Sequence, residues 1–467
     1  MSALGTFGAS ERVLIIGIGK SGLASARVLR ERGASVHATD EKPAAELADA
    51  IARIEGAGAQ FVAAGALAPL LPSLTAAVLS PGVPLTSPVV RAVQAANIPV
   101  FSEIEVAYRL CRAPMIAVTG TKGKSTTTAL IGHLLRACGL RVRVGGNIGN
   151  PLIAEVVDAA PDEWVIAEVS SFQLETIRSF KPRVAVLLNL APDHLDRYFS
   201  MDEYAEAKFR IFANQLPTDT FVGNMDDERI AALQSSATES RLQARPLWFT
   251  LGERRDPATM YCHGDAVVYA PIAGDPRPVV AIERGEIPLA GEHNVQNVMA
   301  AMLAALAIGC DIRALREGVK TFRAMPHRLE PVAEVDGVLY VDDSKSTNPG
   351  SVVAALHAYD RPVVLIAGGR SKGTDFTEMG AEIRRCAKAL VAIGEAADEI
   401  AAGAQGVPTE RAATMIAAVA RAAELAQPGD VVILSPGCAS FDMFRSAEDR
   451  GEQFSRAVRA LKEHADA

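Results

Sequence analysis

The chain has 467 residues, 49% of them apolar and 22% charged, a soluble globular composition that excludes disorder as a global state. With 47 basic against 55 acidic residues, the net charge of −8 speaks against a nucleic-acid or anionic-membrane partner, so any bound anion must be gripped locally. The length predicts about three domains, and six scattered cysteines without a CxxC pair suit a reducing cytosol rather than a disulfide framework.

The first residues, MSALGTFGASER, carry no signal-peptide pattern, and no apolar run reaches the ~18–20 residues of a membrane span. A soluble cytoplasmic α/β protein is therefore expected. Strand-like apolar runs ending in glycine recur at Val13–Gly17, Met115–Gly120, Val363–Gly368 and Val431–Gly437. Ala-rich helical stretches separate them, as at Ser21–Arg32, Thr126–Cys138 and Gln296–Ile308. That alternation predicts doubly wound, mostly parallel sheets.

The first strand runs into Gly17-Ile18-Gly19-Lys20-Ser21-Gly22, which opens a helix; the second, near Ser35–Thr39, ends at Asp40. Glycines at this spacing let backbone amides approach a diphosphate at a helix N-terminus, and the acid suits a ribose hydroxyl. Three readings remain open on these residues: an NAD site, a site for another diphosphate such as a nucleotide sugar, or a tight turn with no ligand. Ser80-Pro81-Gly82 ends a further strand and either lines the same crevice or is only a turn. A domain boundary is expected near Pro99–Pro114.

A new strand, Met115–Thr119, runs into Gly120-Thr121-Lys122-Gly123-Lys124-Ser125-Thr126 and then a helix. This is a phosphate loop with two residues between its glycines instead of the usual four. Its amides wrap a phosphate, Lys124 reaches the β/γ-phosphates, and the Ser125 or Thr126 hydroxyl suits Mg²⁺. Glu168 ends the strand Trp164–Ala167 and is placed either to ligate Mg²⁺ or to cap the next helix. Asp193-His194 follows Val184–Leu190 and suits a metal or a positioned water, or else a helix N-cap. Lys208, in the helical stretch Asp202–Ala213, reads alone as a surface lysine.

Between Trp248 and Leu289 short alternating strands predict a small antiparallel excursion within the middle domain. Asn294 and Asn297 share one face of the helix that follows and suit a purine edge or an N-cap. A second boundary is expected near Met325-Pro326. Beyond it, Arg328, Asp343, Lys345, Thr347 and Lys372 fall in loops at strand ends, where α/β ligand sites form. Cys438 reads as a small buried thiol, since no positioned histidine is evident.

Taken in order, TGTKGKST (119–126), GGNIG (145–149), EVSSFQLE (168–175), DHLDRY (193–198), GEHNVQN (291–297), PHR (326–328), DDSKSTN (342–348) and SPGCASFD (435–442) resemble the Mur ligase family of bacterial cell-wall synthesis. SSFQLE, GGNIG and the SPG at 80–82 favour its D-glutamate-adding branch. The resemblance implies three α/β domains: an N-terminal Rossmann-like domain (1–102), a central P-loop ATPase with a mostly parallel sheet (103–325), and a C-terminal Rossmann-like domain (326–467). It makes the first fingerprint a uridine-diphosphate site, so the dehydrogenase reading recedes.

On the same resemblance Gly17, Lys20, Ser21, Asp40, Ser80, Gly82, Asn147, Ser170, Gln173 and His194 would contact a UDP-sugar. The loop Gly120–Thr126 with Asn294, Asn297, Arg328 and Asp343 would hold ATP. Two Mg²⁺ ions would sit on Ser125, Glu168, His194 and Lys208, the last as a carbamate. Thr347, Lys372, Ser440 and Phe441 would receive D-glutamate, and Lys124, His194, Lys208 and Lys345 would carry the catalysis. The implied substrates are ATP, UDP-N-acetylmuramoyl-L-alanine and D-glutamate; the implied enzyme is a cytoplasmic monomer with no nucleic-acid or membrane partner. Two departures stand out: Lys122, where relatives often have Asn, and Ala447, where some carry a larger apolar residue.

Overall fold

The computed structural model describes residues 7–147, 149–193, 197–234, 241–254, 256–271, 277–323, 325–371 and 373–465. Its strands form three sheets. The first contains β1 (Arg12–Ile16), β2 (Ser35–Thr39), β3 (Gln60–Phe61), β4 (Ala76–Leu79) and β5 (Val100–Ser102), in the order β3-β2-β1-β4-β5. All its pairings are parallel. Helices cover both faces, so β1 buries Val13, Leu14, Ile15 and Ile16 alike, and it reads as a continuous apolar run.

The second sheet contains β6 (Met115–Thr119), β7 (Val142–Gly146), β8 (Trp164–Glu168), β9 (Val184–Leu187), β10 (Thr220–Asn224), β11 (Arg245–Thr250), β12 (Ala258–His263), β13 (Ala266–Tyr269) and β14 (Val279–Glu283). Its order is β14-β13-β12-β11-β10-β9-β6-β8-β7. The strands from β7 to β12 pair in parallel, and only β12-β13-β14 pair antiparallel. The expected antiparallel excursion is present but starts later than Trp248. Its strands prolong one edge of the main sheet: β11 is buried from Leu247 to Thr250 and still pairs in parallel with β10.

The third sheet contains β15 (Glu330–Val335), β16 (Val338–Asp342), β17 (Val363–Gly368), β18 (Ala387–Ile393), β19 (Thr409–Ala412) and β20 (Val431–Leu434). Its order is β15-β16-β20-β17-β18-β19, parallel except for the β15–β16 hairpin.

These sheets are distributed over two compact units, residues 1–286 with 296–320, and 287–295 with 321–467. The first two sheets share one unit, and their apolar cores are continuous, from Val13 and Val78 through Phe101 to Met115 and Ala185. Carboxylates stitch the join. Buried Glu105 accepts from the backbone N–H groups of Arg178, Ser179 and Phe180 at 2.8–3.0 Å and from Arg109 Nε at 2.7 Å. Glu103 accepts from the Ile153 N–H at 2.6 Å. Among the described residues no helix is long and apolar enough to cross a membrane.

Each sheet has a point where strand order reverses, and there the chain leaves a crevice at the strands' C-terminal ends. In the first sheet it is flanked by Gly17 and Ser80, in the second by Gly120, Glu168 and Asn189, in the third by Asp343 and Ser435.

Candidate active site

The phosphate loop follows β6. Gly120 (φ 153°) and Gly123 (φ 81°) adopt backbone conformations that L side chains rarely take. A Cβ at Gly123 would stand 2.3 Å from Asn297 Oδ1. The helix Lys124–Ala137 starts directly after it, two residues earlier than the sequence suggests. Asn189 holds the loop shape: its Oδ1 accepts from the N–H groups of Thr121 (3.1 Å) and Lys122 (2.8 Å), and its Nδ2 donates to the Lys122 carbonyl at 3.1 Å. Asn297 Oδ1 accepts from Thr127 Oγ1 at 3.2 Å, so this asparagine packs under the loop and its helix. Ser125 is buried.

Two lysine side-chain nitrogens converge on one carbonyl. Lys124 Nζ donates to the Gly120 carbonyl at 2.9 Å and to that of Thr121 at 2.8 Å. Lys208 Nζ donates to the same Gly120 carbonyl at 2.9 Å. Lys208 is 1% exposed, on the helix Met201–Phe209, with its Nζ 4.6 Å from the Tyr204 ring centroid. It is not the surface lysine that its local sequence suggests. Burial first, and the Lys124 charge second, drive its pKa well below the ordinary lysine value, while Asp193 and Glu168 oppose the shift.

Glu168 ends β8, also 1% exposed. Its Oε1 accepts from Asn147 Nδ2 at 2.9 Å, while its buried Oε2 has no hydrogen-bond partner among the described residues. Glu168 is not the cap of the next helix. Ser170 is, in a reciprocal capping box with Gln173 (Ser170 N–H to Gln173 Oε1 2.9 Å, Gln173 N–H to Ser170 Oγ 3.3 Å). His194 lies outside the described residues.

In the first sheet's crevice, Gly17 has φ 90°, and a Cβ there would meet Val83 Cγ2 at 2.8 Å and Ser80 Cβ at 2.9 Å. Ser80 Oγ donates to the Gly17 carbonyl at 2.7 Å. A Cβ at Gly22 would lie 2.0 Å from that same carbonyl, whereas Gly19 faces open space. Lys20 and Ser21 begin the helix Lys20–Glu31. Asp40 accepts from the N–H groups of Ile18 and Lys42, both at 3.1 Å, which ties the second strand's end to the glycine loop.

A cavity of about 1370 Å³ extends from the segment after β4 (Gly82, Pro84, Leu85) to Phe172, Glu175, Arg197 and Tyr198. Sequence reasoning missed its central group. Arg197 Nη2 pairs with Glu175 Oε2 at 2.7 Å, its guanidinium lies 3.9 Å from the Phe172 ring centroid, and its Nη1 contacts the Pro81 carbonyl at 3.5 Å. Tyr198 donates to Glu175 Oε1 at 2.6 Å. The signal was present in DHLDRY, three residues beyond the histidine.

The second unit places its candidates in two groups. Asp343 is buried and accepts from the Ser346 and Ser435 hydroxyls and from the Leu329 N–H (3.2 Å). Burial, the largest cause, pushes its carboxyl up to about 6, and the Arg328 charge offsets part of that. Lys345 pairs with Glu448. Asn294 Nδ2 donates to the Ala290 carbonyl at 2.7 Å. Thr347, Ser440 and Phe441 come together on one cavity of about 280 Å³, with Arg370, Thr374 and Glu448 as further walls. Lys372 lies outside the described residues. Beneath the cavity the buried Arg450 donates to the Cys438 carbonyl (3.1 Å), the Ser344 carbonyl (2.9 Å) and Ser344 Oγ (3.0 Å). Nothing in the local sequence DRGE signals that role.

These loops at strand-order reversals define a phosphate-binding α/β protein. Residues 11–102 match the description "Mur ligase MurD-like, N-terminal domain", 118–305 "Mur ligase middle domain", and 327–438 "Mur ligase, glutamate ligase domain". The chain is 44% identical over 459 residues to a protein of Pelotomaculum thermopropionicum named UDP-N-acetylmuramoylalanine--D-glutamate ligase, covering 97% of this chain and 98% of that one. A protein of the same name from Syntrophotalea carbinolica is 44% identical over 453 residues, with the same two coverages. Among solved structures, a pseudomurein peptide ligase type C from Methanothermus fervidus has the same fold (TM-score 0.60, 18% identity, 97% of this chain and 100% of that one). So does the MurF ligase of Thermotoga maritima, solved in complex with ADP (TM-score 0.60, 16% identity, 98% and 100%). The chain belongs to the Mur ligase family.

Proposed function

We propose that the protein joins D-glutamate to UDP-N-acetylmuramoyl-L-alanine, converting ATP to ADP and phosphate through an acyl-phosphate intermediate, in peptidoglycan precursor synthesis. The names of its full-length relatives support the substrates. The observation that carries the chemistry is the pair of lysines on the Gly120 carbonyl, one of them buried and driven toward its neutral form beside the half-satisfied Glu168.

The substrate carboxylate attacks the γ-phosphorus in line, and ADP leaves. Loop amides from Gly120 to Thr126 and the Lys124 ammonium take up the negative charge on the transferring group. The amine of D-glutamate then attacks the acyl-phosphate carbonyl, and phosphate departs from the tetrahedral intermediate. Lys345 stabilises its oxyanion, while Thr347, Ser440 and Lys372 hold the amino acid's carboxylates and Phe441 covers them. Asn294, Asn297, Arg328 and Asp343 serve the nucleotide side. Gly17, Lys20, Ser21, Asp40, Ser80, Gly82, Asn147, Ser170, Gln173 and His194 serve the UDP-sugar.

The donors also fit Mg²⁺. Glu168 Oε2 is a buried carboxylate oxygen without a hydrogen bond among the described residues, and the hydroxyl of Ser125 is a hard oxygen donor. Ser125, Glu168, His194 and Lys208 would hold two ions, which supply charge neutralisation at the phosphates. An ammonium cannot ligate a cation. A neutral Lys208 amine can add to CO₂, forming an N–C bond and losing one proton, and the resulting carbamate is an anionic oxygen donor. Burial and Lys124 favour that neutral amine. A cytoplasmic monomer built as domains 1–102, 103–325 and 326–467 completes the proposal.

Phosphate release with ATP, Mg²⁺, UDP-N-acetylmuramoyl-L-alanine and one amino acid at a time tests it, with product mass as the second readout. Release and ligation with D-glutamate alone is the expected result. Ligation of another amino acid instead overturns the substrate assignment, and ATP binding without any ligation overturns the acceptor.

A further inference from the structure

Two groups of three ligand-type side chains converge among the described residues. One, His327 with Glu330 and Asp342, is held by its own hydrogen bonds: the backbone N–H of His327 donates to Glu330 Oε2 (2.8 Å), and its ring Nδ1 bonds Asp342 Oδ2 (2.7 Å). The other is His357, Glu382 and Cys386, outside every site described above. Glu382 and Cys386 sit one turn apart on one face of the helix Thr377–Cys386, and His357 ends the helix Pro349–Leu356.

His357 Nε2 lies 2.9 Å from Glu382 Oε2, Cys386 Sγ lies 3.8 Å from the same oxygen, and all three donor atoms fall within 4.8 Å of one another. Zinc bonds of about 2.0–2.3 Å in tetrahedral geometry put donor atoms about 3.3–3.6 Å apart. The observed separations bracket that span, and a nitrogen, a carboxylate oxygen and a sulfur are a zinc-type donor set. A cation already sits there: Arg385 Nη2 lies 2.7 Å from Glu382 Oε2 and 3.0 Å from His357 Nε2. His357 Nε2 therefore lies between a carboxylate oxygen, which only accepts, and a guanidinium, which only donates; a metal would take the place of the guanidinium and draw on the Nε2 lone pair of the neutral ring. The Arg385 side chain is 64% exposed and has open solvent to swing into.

We propose that His357, Glu382 and Cys386 form a binding site for a thiophilic divalent cation of the zinc class, in competition with the Arg385 guanidinium. Binding sends the thiol proton to solvent and leaves a fourth position for water. The site ties together two helices that each follow a wall of the smaller cavity, the first starting just past Thr347 and the second just past Thr374. Its occupancy therefore fixes the spacing of those walls. Zinc binding itself is independent of the proposed ligase reaction.

The test is titration of the full chain with cobalt(II), then zinc competition, in excess Mg²⁺. One equivalent of cobalt should raise a thiolate-to-metal charge-transfer absorption that zinc removes. Cys386→Ser should abolish it, and Cys111→Ser should keep it. His357→Ala and Glu382→Gln should weaken zinc binding by about tenfold or more, in line with losses seen on disturbing metal sites. Arg385→Gln, which removes the competitor at an exposed position, should tighten zinc binding several-fold. No absorption in the unaltered protein, an absorption that survives Cys386→Ser, or unchanged affinity in Arg385→Gln would each overturn the proposal. Metal-free melting curves for every variant separate these losses from misfolding.

Discussion

Two glycine loops in one compact unit begin alike and end differently. Gly17–Gly22 and Gly120–Lys124 each leave a parallel strand at a strand-order reversal and enter a helix. Around the first, Ser80 holds the Gly17 carbonyl and Asp40 the Ile18 N–H, while its one lysine, Lys20, stands exposed at the helix start. Around the second, two lysines share the Gly120 carbonyl. Backbone geometry makes either loop a phosphate cradle. In the proposed mechanism the Lys124 ammonium, on the loop's own helix, and Lys208, brought in by a distant helix, make the second the centre for moving a phosphoryl group.

The sharpest way to break that comparison is to remove Lys124. Lys124→Met should lower kcat by roughly 10³-fold, the scale for losing a preorganised charge in a transition state. UDP-sugar binding, measured by calorimetry, should stay within about twofold, since the first loop is untouched. A fall in UDP-sugar affinity as large as the fall in kcat would mean the two loops are not separate sites.

Lys208→Ala should cost nearly as much, roughly 10²–10³-fold in kcat. Added acetate or a similar small carboxylate should restore part of it by standing in for the carbamate. Lys208→Arg, always cationic, should be as inactive and beyond rescue. Because only the neutral amine adds CO₂, and burial with Lys124 lowers the lysine's pKa, carbamate content read by mass or ¹³C NMR should rise with pH. Full activity in Lys208→Ala would remove the carbamate from the mechanism.

Gly17→Ala tests the first loop by shape alone. With φ at 90° and Ser80 and Val83 within 3 Å of the new methyl, the loop must shift. Stability should fall by about 1–3 kcal/mol, and the UDP-sugar KM should rise about tenfold while kcat stays within about twofold. An equal fall in kcat would mean that the first loop positions the reacting carboxylate as well.

Both loops were legible in the sequence, because glycine spacing states a backbone requirement and a lysine after the second glycine states a charge. The three sheets were legible too, since strands buried on both faces, such as Val13–Ile16, read as unbroken apolar runs. What stayed hidden depends on where the chain returns. Lys208 sits among alanines and acids that suit a solvated helix, and only docking of that helix beside β6 buries it. Arg197 and Arg450 look like ordinary loop or helix cations, yet each is aimed by partners far away in sequence, Pro81 for Arg197 and Ser344 for Arg450. The union of the first two sheets in one unit was equally hidden, because it rests on acids, Glu103 and Glu105, that bind backbone some 50 to 75 residues further on.

That join gives the prediction with the smallest expected effect on catalysis, since it acts on stability and leaves the chemistry alone. Glu103 is buried, its Oε1 holds the Ile153 N–H, and its Oε2 has no hydrogen-bond partner among the described residues. Burial, only partly offset by that hydrogen bond, lifts its carboxyl from the ordinary 4.5 to about 7. A folded-state pKa above the unfolded one means that the fold prefers the protonated acid. Its contribution is complete below about pH 4.5 and fades as the pH climbs to about 7, a loss on the order of 3 kcal/mol. Glu103→Gln keeps an acceptor for Ile153 and cannot ionise. In denaturant unfolding at pH 5 and pH 7.5, the variant should gain on the unaltered protein as the pH rises, with kcat the same in both. Parallel stability curves would place an ionised carboxylate at the join, inside the continuous apolar core that the two sheets share.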